Sequence, residues 1–210
     1  MKKGTIINLN KNDLVAYFSK NKIIFMLTVT VLLGLLVGCL TFSKSDILIN
    51  FGKKCFTFIT KNRQEQSFLN IFKYSLTIDF LILLTYFLCG ASLMGVIFVP
   101  ILSFSSGFLY AVISSYICDT YLLKGIAFNA LILLPPIALL IIVLLVAGKR
   151  SINFSFEFIK LTMPNQRALN LFFQFKEYCV HYLVYVSLCL ISAVVDGLLS
   201  KTLISYFDFI

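Results

Sequence analysis

The fold is decided by residues 86–155, YFLCGASLMGVIFVPILSFSSGFLYAVISSYICDTYLLKGIAFNALILLPPIALLIIVLLVAGKRSINFS. The only acidic or basic residues in this stretch form two pairs, Asp119 with Lys124 and Lys149 with Arg150. The uncharged runs between and before these pairs are long enough to cross the ~30 Å hydrocarbon core of a bilayer as helices. A water-soluble domain would not expose such runs, so the stretch predicts closely spaced transmembrane helices.

The composition of the whole chain agrees with a membrane protein. Of its 210 residues, 60% are hydrophobic and only 13% are charged, which lies outside the usual range of soluble domains. The formal net charge of +9 is interpreted as membrane orientation and attraction to anionic headgroups, because the basic residues lie between the apolar runs. We therefore expect the lipid bilayer as a partner and no nucleic acid.

The apolar runs predict an all-α integral membrane protein, a single membrane domain of residues 1–210 with about five transmembrane helices plus interfacial amphipathic helices. Five lysines before the first run place the amino terminus in the cytoplasm. A cleaved signal peptide, or lipidation of Cys39 in a lipobox-like LVGC, is the weaker alternative because the leader is long. The predicted spans are residues 23–42, 78–99, 102–118, 126–147 and 182–204.

Two longer polar segments separate these spans. Residues 43–75 form the outer loop, whose apolar positions recur at helical spacing and predict an amphipathic helix on the membrane surface. Residues 148–178 form the cytoplasmic loop, in which a polar stripe predicts a helix lying in the interface. His181, the only histidine, is interpreted as a solvated residue at the boundary of the membrane.

Small residues at four-residue spacing predict close helix contacts. A helix places positions i and i+4 on one face, and small side chains there let another backbone approach. The first span carries one such pair and the third carries the longest stripe. The helix-packing candidates are Gly34, Gly38, Ser103, Gly107, Ala111 and Ser115.

Prolines and polar residues inside the spans are the remaining candidates. Pro100 is expected to end or kink the second span, and Pro135 with Pro136 to break the fourth, because proline removes a backbone donor. Asn129 and Asp196 are the intramembrane polar candidates. An ionisable residue within a span suggests function, although Asp196 could also lie close enough to the outer surface to reach water, Lys124 or Lys201.

No catalytic, metal or cofactor site is predicted. The six cysteines contain no C-x-x-C pair and are interpreted as packing thiols, with one bridge among Cys39, Cys55 and Cys118 as the alternative. The sequence contains no H-E-x-x-H and no phosphate-binding glycine loop. We therefore expect no enzyme activity.

The chain resembles the stage II sporulation protein M family of multi-pass bacterial membrane proteins. The resemblance covers nearly its whole length and depends on the order of its motifs. They are VLLGLLVG, LCGASLMGVIFVP, SSGFLYAVISSYI, LLKG, LILLPPIALLIIVLLVAGKRSINFS and LISAVVDGLLS.

The resemblance implies a five-span protein of the bacterial cytoplasmic membrane. It also implies a scaffold in engulfment that recruits or holds peptidoglycan-degrading partner proteins, with Gly107, Pro135 and Asp196 as structural elements. From the residues alone, a small-solute transporter or the membrane subunit of one is the alternative, because of the prolines in the fourth span, Asn129 and Asp196. A scaffold predicts dry helix contacts and tolerance of Asp196→Asn, whereas a transporter predicts a polar cavity that this substitution disables.

Overall fold

The chain folds into a bundle of helices. The computed structural model describes residues 21–64, 67–161 and 171–207, and no strand occurs in these ranges. The helices are α1 (Lys22–Phe42), α2 (Asp46–Gln64), α3 (Phe68–Gly90), α4 (Gly95–Phe128), a π-helical segment (Asn129–Leu133), α5 (Leu134–Leu161) and α6 (Leu171–Leu203), followed by a 3₁₀ turn at Ile204–Tyr206. The prediction of an all-α membrane protein is confirmed.

Four helical segments of the described residues are long and apolar enough to cross a membrane, and one of them runs from Gly95 to Lys160. A straight helix of its 66 residues would be about 100 Å long, several times the membrane thickness. It reverses direction at Leu122, whose φ of 49° and ψ of −125° are not helical. Asn129 then lies beside Tyr110 and Ser114, so the segment forms two antiparallel arms.

Successive long apolar helices of the bundle run in opposite directions, so the bundle has two ends, each with its own buried cluster. At the near end, where α1 begins, Leu27, Tyr86 and Ala147 form one buried cluster together with Tyr178. At the far end, where α1 finishes, a second cluster contains Phe42, Tyr116, Phe128 and Ile204. The predicted span limits stay a prediction. The helical form of these segments pairs most of their backbone groups within the segment itself, as a bilayer requires.

The turn between α3 and α4 lies earlier than predicted. The second span was expected to run over residues 78–99 and to end at Pro100, but α3 finishes at Gly90 and Pro100 lies inside α4. The turn can form at residues 91–94 because α5 covers it: the Ser155 hydroxyl donates to the carbonyl oxygen of Ser92 at 2.8 Å. Pro100 is the sixth residue of α4, where its missing N–H leaves the Val96 carbonyl oxygen without its usual helical donor, yet the helix continues through it.

Pro135 and Pro136 also leave the helix continuous. The segment Asn129–Leu133 widens into a π-helical turn immediately upstream, and α5 continues through both prolines to Leu161. Proline cannot donate a hydrogen bond to the carbonyl oxygen four residues before it. A local π-helical turn lets a membrane helix adjust to the missing hydrogen bond. The expected break is therefore a local widening of the helix.

The helix predicted to lie on the membrane surface packs partly on protein. Phe56 of α2 is buried and its ring contacts those of Tyr116 and Phe128 at centroid distances of 5.9 Å and 6.0 Å. Ile47, Phe51 and Phe58, which the periodicity assigned to the apolar face, are among the exposed large hydrophobic residues, so they do not form the contact of α2 with α4. The polar stripe expected to form a separate interfacial helix belongs to the first turns of α6 in its described part, Gln174, Glu177 and His181, while Asn170 lies outside the described residues.

Candidate functional site

Among the described residues, the most extensive helix contact is between α1 and α4. A Cβ atom at Gly34 would overlap the Phe104 carbonyl oxygen, and one at Gly107 would overlap the carbonyl oxygen of Val31. A Cβ at Gly38 would lie 2.7 Å from the Ala111 methyl group. These four small residues therefore let the two backbones touch, as in membrane helix pairs of the small-xxx-small type.

The two serines of the predicted stripe have different surroundings. Ser103 is buried and forms a hydrogen bond of 3.0 Å with the hydroxyl group of Tyr86 on α3. Ser115 lies at the exposed edge of the α1–α4 contact, with its oxygen 3.6 Å from the sulfur of Cys39. The small-residue stripe of α4 therefore contacts two neighbouring helices, α1 and α3.

A cleft of about 330 Å³ lies between α3 and α4, with α5 and α6 at its back. Toward the near end its lining finishes at Ile82 of α3 and Leu144 of α5, and toward the far end at Ile59 of α2. Its rim includes Ile78 and Leu109, which are 39% and 44% exposed. Because these rim residues lie within apolar helices, we infer that the cleft opens sideways toward the lipid.

The walls of the cleft are mainly apolar, and its polar groups are concentrated on α3 and α6. The volume is within the usual range of small-molecule sites, which combine apolar walls with a few placed polar groups. The polar lining residues are Tyr74, Ser75, Asp79, Ser106, Tyr110, Ser192 and Asp196.

Asp196 is buried in this cleft. Only 4% of the residue is exposed, and its carboxylate accepts hydrogen bonds from the hydroxyl groups of Ser75 on α3 and Ser200 on α6. This burial contradicts the alternative in which Asp196 reaches water, because α3 begins at Phe68 and its first turns cover this part of α6. The distance of Asp196 from the outer surface stays a prediction.

Asp79 is a second buried carboxyl group, and sequence reasoning missed it. It is 8% exposed and interacts electrostatically with Asp196 across the α3–α6 contact. The prediction placed it at the outer end of a span beginning at residue 78, but α3 begins ten residues earlier and Asp79 lies in its middle. The segment upstream of residue 78, LNIFKYSLT, contains a lysine and three other polar residues, so its hydropathy gave little signal that the helix begins earlier.

The Ser192 hydroxyl group lies within hydrogen-bonding range of Asp79. However, Ser192 donates its single proton to the Pro136 carbonyl oxygen at 3.0 Å. In this arrangement Ser192 can accept a hydrogen bond from a protonated Asp79 but has no proton left to donate to the ionised carboxylate. Among the described residues, no other side chain donates a hydrogen bond to the Asp79 carboxyl group, which faces the cleft.

Asn129 joins the π-helical segment to α4. Its side-chain oxygen, as assigned, accepts hydrogen bonds from the hydroxyl groups of Tyr110 at 3.2 Å and Ser114 at 3.1 Å. Asn129 does not line the cleft, but Tyr110 does. The amide therefore fixes the orientation of one residue of the cleft wall.

We expect Asn129→Ala to destabilise the bundle by about 1 kcal/mol, the usual contribution of a hydrogen bond between membrane helices. A double-mutant cycle with Tyr110→Phe, read by unfolding in mixed detergent micelles, measures the coupling between the two side chains. Strictly additive effects would contradict the contact. Ser187→Ala is the control, because the Ser187 hydroxyl bonds only within its own helix.

The part of the chain that the structure describes contains no cluster suited to a metal ion. Within residues 21–64, 67–161 and 171–207, no three side chains of histidine, cysteine, aspartate or glutamate come together in a metal-binding group. At the near end Arg150 and Glu177 form an ion pair of 2.6 Å, and His181 lies 3.5 Å from the same carboxylate. These three groups are partly exposed and link α5 to α6.

The fold and the cleft define a class, that of multi-pass helical membrane proteins with buried carboxyl groups between their helices. The chain belongs to the SpoIIM family, stage II sporulation protein M, whose model matches residues 25–201. The resemblance seen in the motifs is thereby confirmed. No curated protein and no solved structure matches the chain.

Proposed function

We propose that this protein is a non-enzymatic membrane scaffold that holds peptidoglycan-remodelling partners at the bacterial cytoplasmic membrane during engulfment. The family match supports a role as a sporulation-related membrane protein. The observation that supports the scaffold role is that α2 packs against the far end of the bundle. With the amino terminus in the cytoplasm, as its lysines predict, this end faces the cell wall.

The outward face of α2 has the character of a docking surface. Phe56 anchors the helix among the rings of α4, while Phe51 and Phe58 remain partly exposed, with Lys54 one helical turn from each of them. The Phe58 ring also contacts Tyr74 of α3, at a centroid distance of 5.3 Å. Exposed aromatic groups are enriched in binding surfaces, and nearby lysines favour an acidic partner through charge complementarity. Because the buried face packs against α4, the exposed face is fixed in one orientation. A partner that binds it therefore causes little further loss of conformational entropy in α2.

The test is affinity purification of the full chain from sporulating cells. We expect a peptidoglycan hydrolase to co-purify, and the charge-reversed variant Lys53→Glu/Lys54→Glu to lose it. The matched control is Lys124→Glu/Lys201→Glu, which reverses two exposed lysines outside α2. Absence of any wall-remodelling partner, with normal engulfment in a deletion strain, would refute the proposal.

The cleft favours a second candidate function, transport of a small solute by this chain or by a complex containing it. Buried carboxyl groups within membrane helices commonly mark solute or ion pathways. The mainly apolar walls argue for a lipophilic solute rather than a strongly polar one.

Complementation of a deletion strain with Asp196→Asn separates the two functions. A scaffold tolerates this nearly isosteric change and restores engulfment. A transporter that depends on the carboxylate loses activity while the protein remains in the membrane, which an immunoblot of the membrane fraction checks.

A further inference from the structure

We propose that the cleft between α3 and α4 binds a lipophilic amine, with its apolar body along the cleft walls and its ammonium group against Asp79. The inference concerns binding alone, so it holds whether the protein acts as a scaffold or as a transporter.

The first reason for this proposal is that the ionised Asp79 carboxylate lacks a hydrogen-bond donor. Its carboxyl group is buried, faces the cleft, and lies beside Ser192, whose proton is committed to Pro136. A buried carboxylate without a donor is costly, more so in a span than in a soluble core. An ammonium group has three hydrogen-bond donors and a positive charge. It can therefore donate hydrogen bonds to the Asp79 carboxylate and neutralise its negative charge.

The shape and chemistry of the rest of the cleft define the remainder of the ligand. Beyond the polar patch, the walls consist of aliphatic side chains from three helices, including Ile82, Ile113, Ile137 and Leu140. Such walls pack well against hydrocarbon through van der Waals contacts and offer no polar partner to a hydrated ion. A small inorganic cation would leave this surface uncovered, whereas an alkyl or aryl chain attached to the amine fills it.

The route of entry agrees with such a ligand. The rim residues Ile78 and Leu109 are exposed along the sides of their helices, where acyl chains surround a membrane protein. A lipophilic amine partitions into the bilayer and reaches the cleft laterally. Asp79 then lies deep enough to distinguish an amine from an uncharged molecule of the same length.

The probes are decylamine and decanol, which share an alkyl chain and differ in the head group. The full chain is placed in nanodiscs of zwitterionic lipid, so that general attraction of the amine to anionic lipid is absent, and thermal unfolding is followed by circular dichroism. We expect decylamine to raise the Tm in a saturable manner and decanol to have little effect. Equal stabilisation by decanol, or by sodium ions alone, would overturn the proposal.

Asp79→Asn tests the residue itself. This variant keeps the shape of the side chain and removes its charge, and we expect at least about tenfold weaker decylamine binding, since loss of one member of a buried charge pair is expensive. Its own Tm without ligand reports whether it folds. Asp119→Asn, which neutralises an exposed carboxylate on α4 outside the cleft, is the matched control and is expected to bind like the unmodified chain.

Ile137→Phe provides an independent variant that leaves every charge in place. Its larger ring fills part of the apolar wall, so decylamine binding is expected to weaken while Asp79 is unchanged. Undiminished binding in both Asp79→Asn and Ile137→Phe would place the amine elsewhere and refute the site. Loss of a wall-remodelling partner in the purification experiment would leave this result unaffected, so failure of one proposal is distinguishable from failure of the other.

Discussion

Gly34→Ala is expected to destabilise the bundle by about 2 kcal/mol, although alanine is the better helix former. The added methyl group would overlap the Phe104 carbonyl oxygen, and a backbone atom cannot rotate away as a side chain can. Overpacking of this kind costs up to about 3 kcal/mol, and the gain in helix propensity offsets only about 1 kcal/mol of it. Unfolding in mixed detergent micelles measures the difference.

Gly197→Ala is the matched control for this prediction. It makes the same substitution in another helix, but the Cβ would meet the ring of Phe68 at 2.8 Å, and that ring can move aside. We expect a change smaller than half of that caused by Gly34→Ala. Equal stability of Gly34→Ala and the unmodified chain would show that α1 does not touch α4 through this glycine.

The second large effect is expected at Ser151, which joins three helices at the near end. Its hydroxyl group is buried and lies 3.1 Å from the Tyr86 carbonyl oxygen on α3 and 2.5 Å from the Tyr182 hydroxyl on α6. Ser151→Ala removes both contacts and leaves a buried tyrosine hydroxyl without this partner, which costs about 1–3 kcal/mol. Thermal or detergent-induced unfolding of the purified protein gives the measurement.

Two further variants make the Ser151 prediction specific. Ser105→Ala removes a hydroxyl that bonds only to its own helix, and it should change stability by less than about 0.5 kcal/mol. Adding Tyr182→Phe to Ser151→Ala removes the orphaned hydroxyl and should recover part of the loss. A double variant less stable than the sum of the two single changes would argue against the shared hydrogen bond.

Much of the architecture could be predicted because it depends on local properties of the chain. Apolar runs must be helical in a membrane, since no other open structure satisfies the backbone there. The four-residue spacing of Gly34 and Gly38, and of Gly107 and Ala111, identified residues that lie at the α1–α4 contact, because small side chains at this spacing form one face regardless of the partner. The order of motifs was sufficient to indicate the family.

Other features could not be predicted from local pattern. Pro100 was expected to end or kink the second span, but α4 continues through it. The position of the turn before α4 depends instead on a hydrogen bond from Ser155 of α5, which is distant in sequence. Asp79 and Asp196 are more than a hundred residues apart. Nothing in either segment shows that α3 and α6 bring them to the same cleft.

The sequence by itself determined that this chain is a helical membrane protein, which faces of α1 and α4 are small enough to meet, and to which family it belongs. These properties follow from side-chain size, hydropathy and period along single segments. Only the tertiary structure decided where α3 begins, which side of α2 is buried, and that Asp79 and Asp196 face each other beside an apolar cleft. Those outcomes depend on helix rotation and register, which packing between distant segments sets.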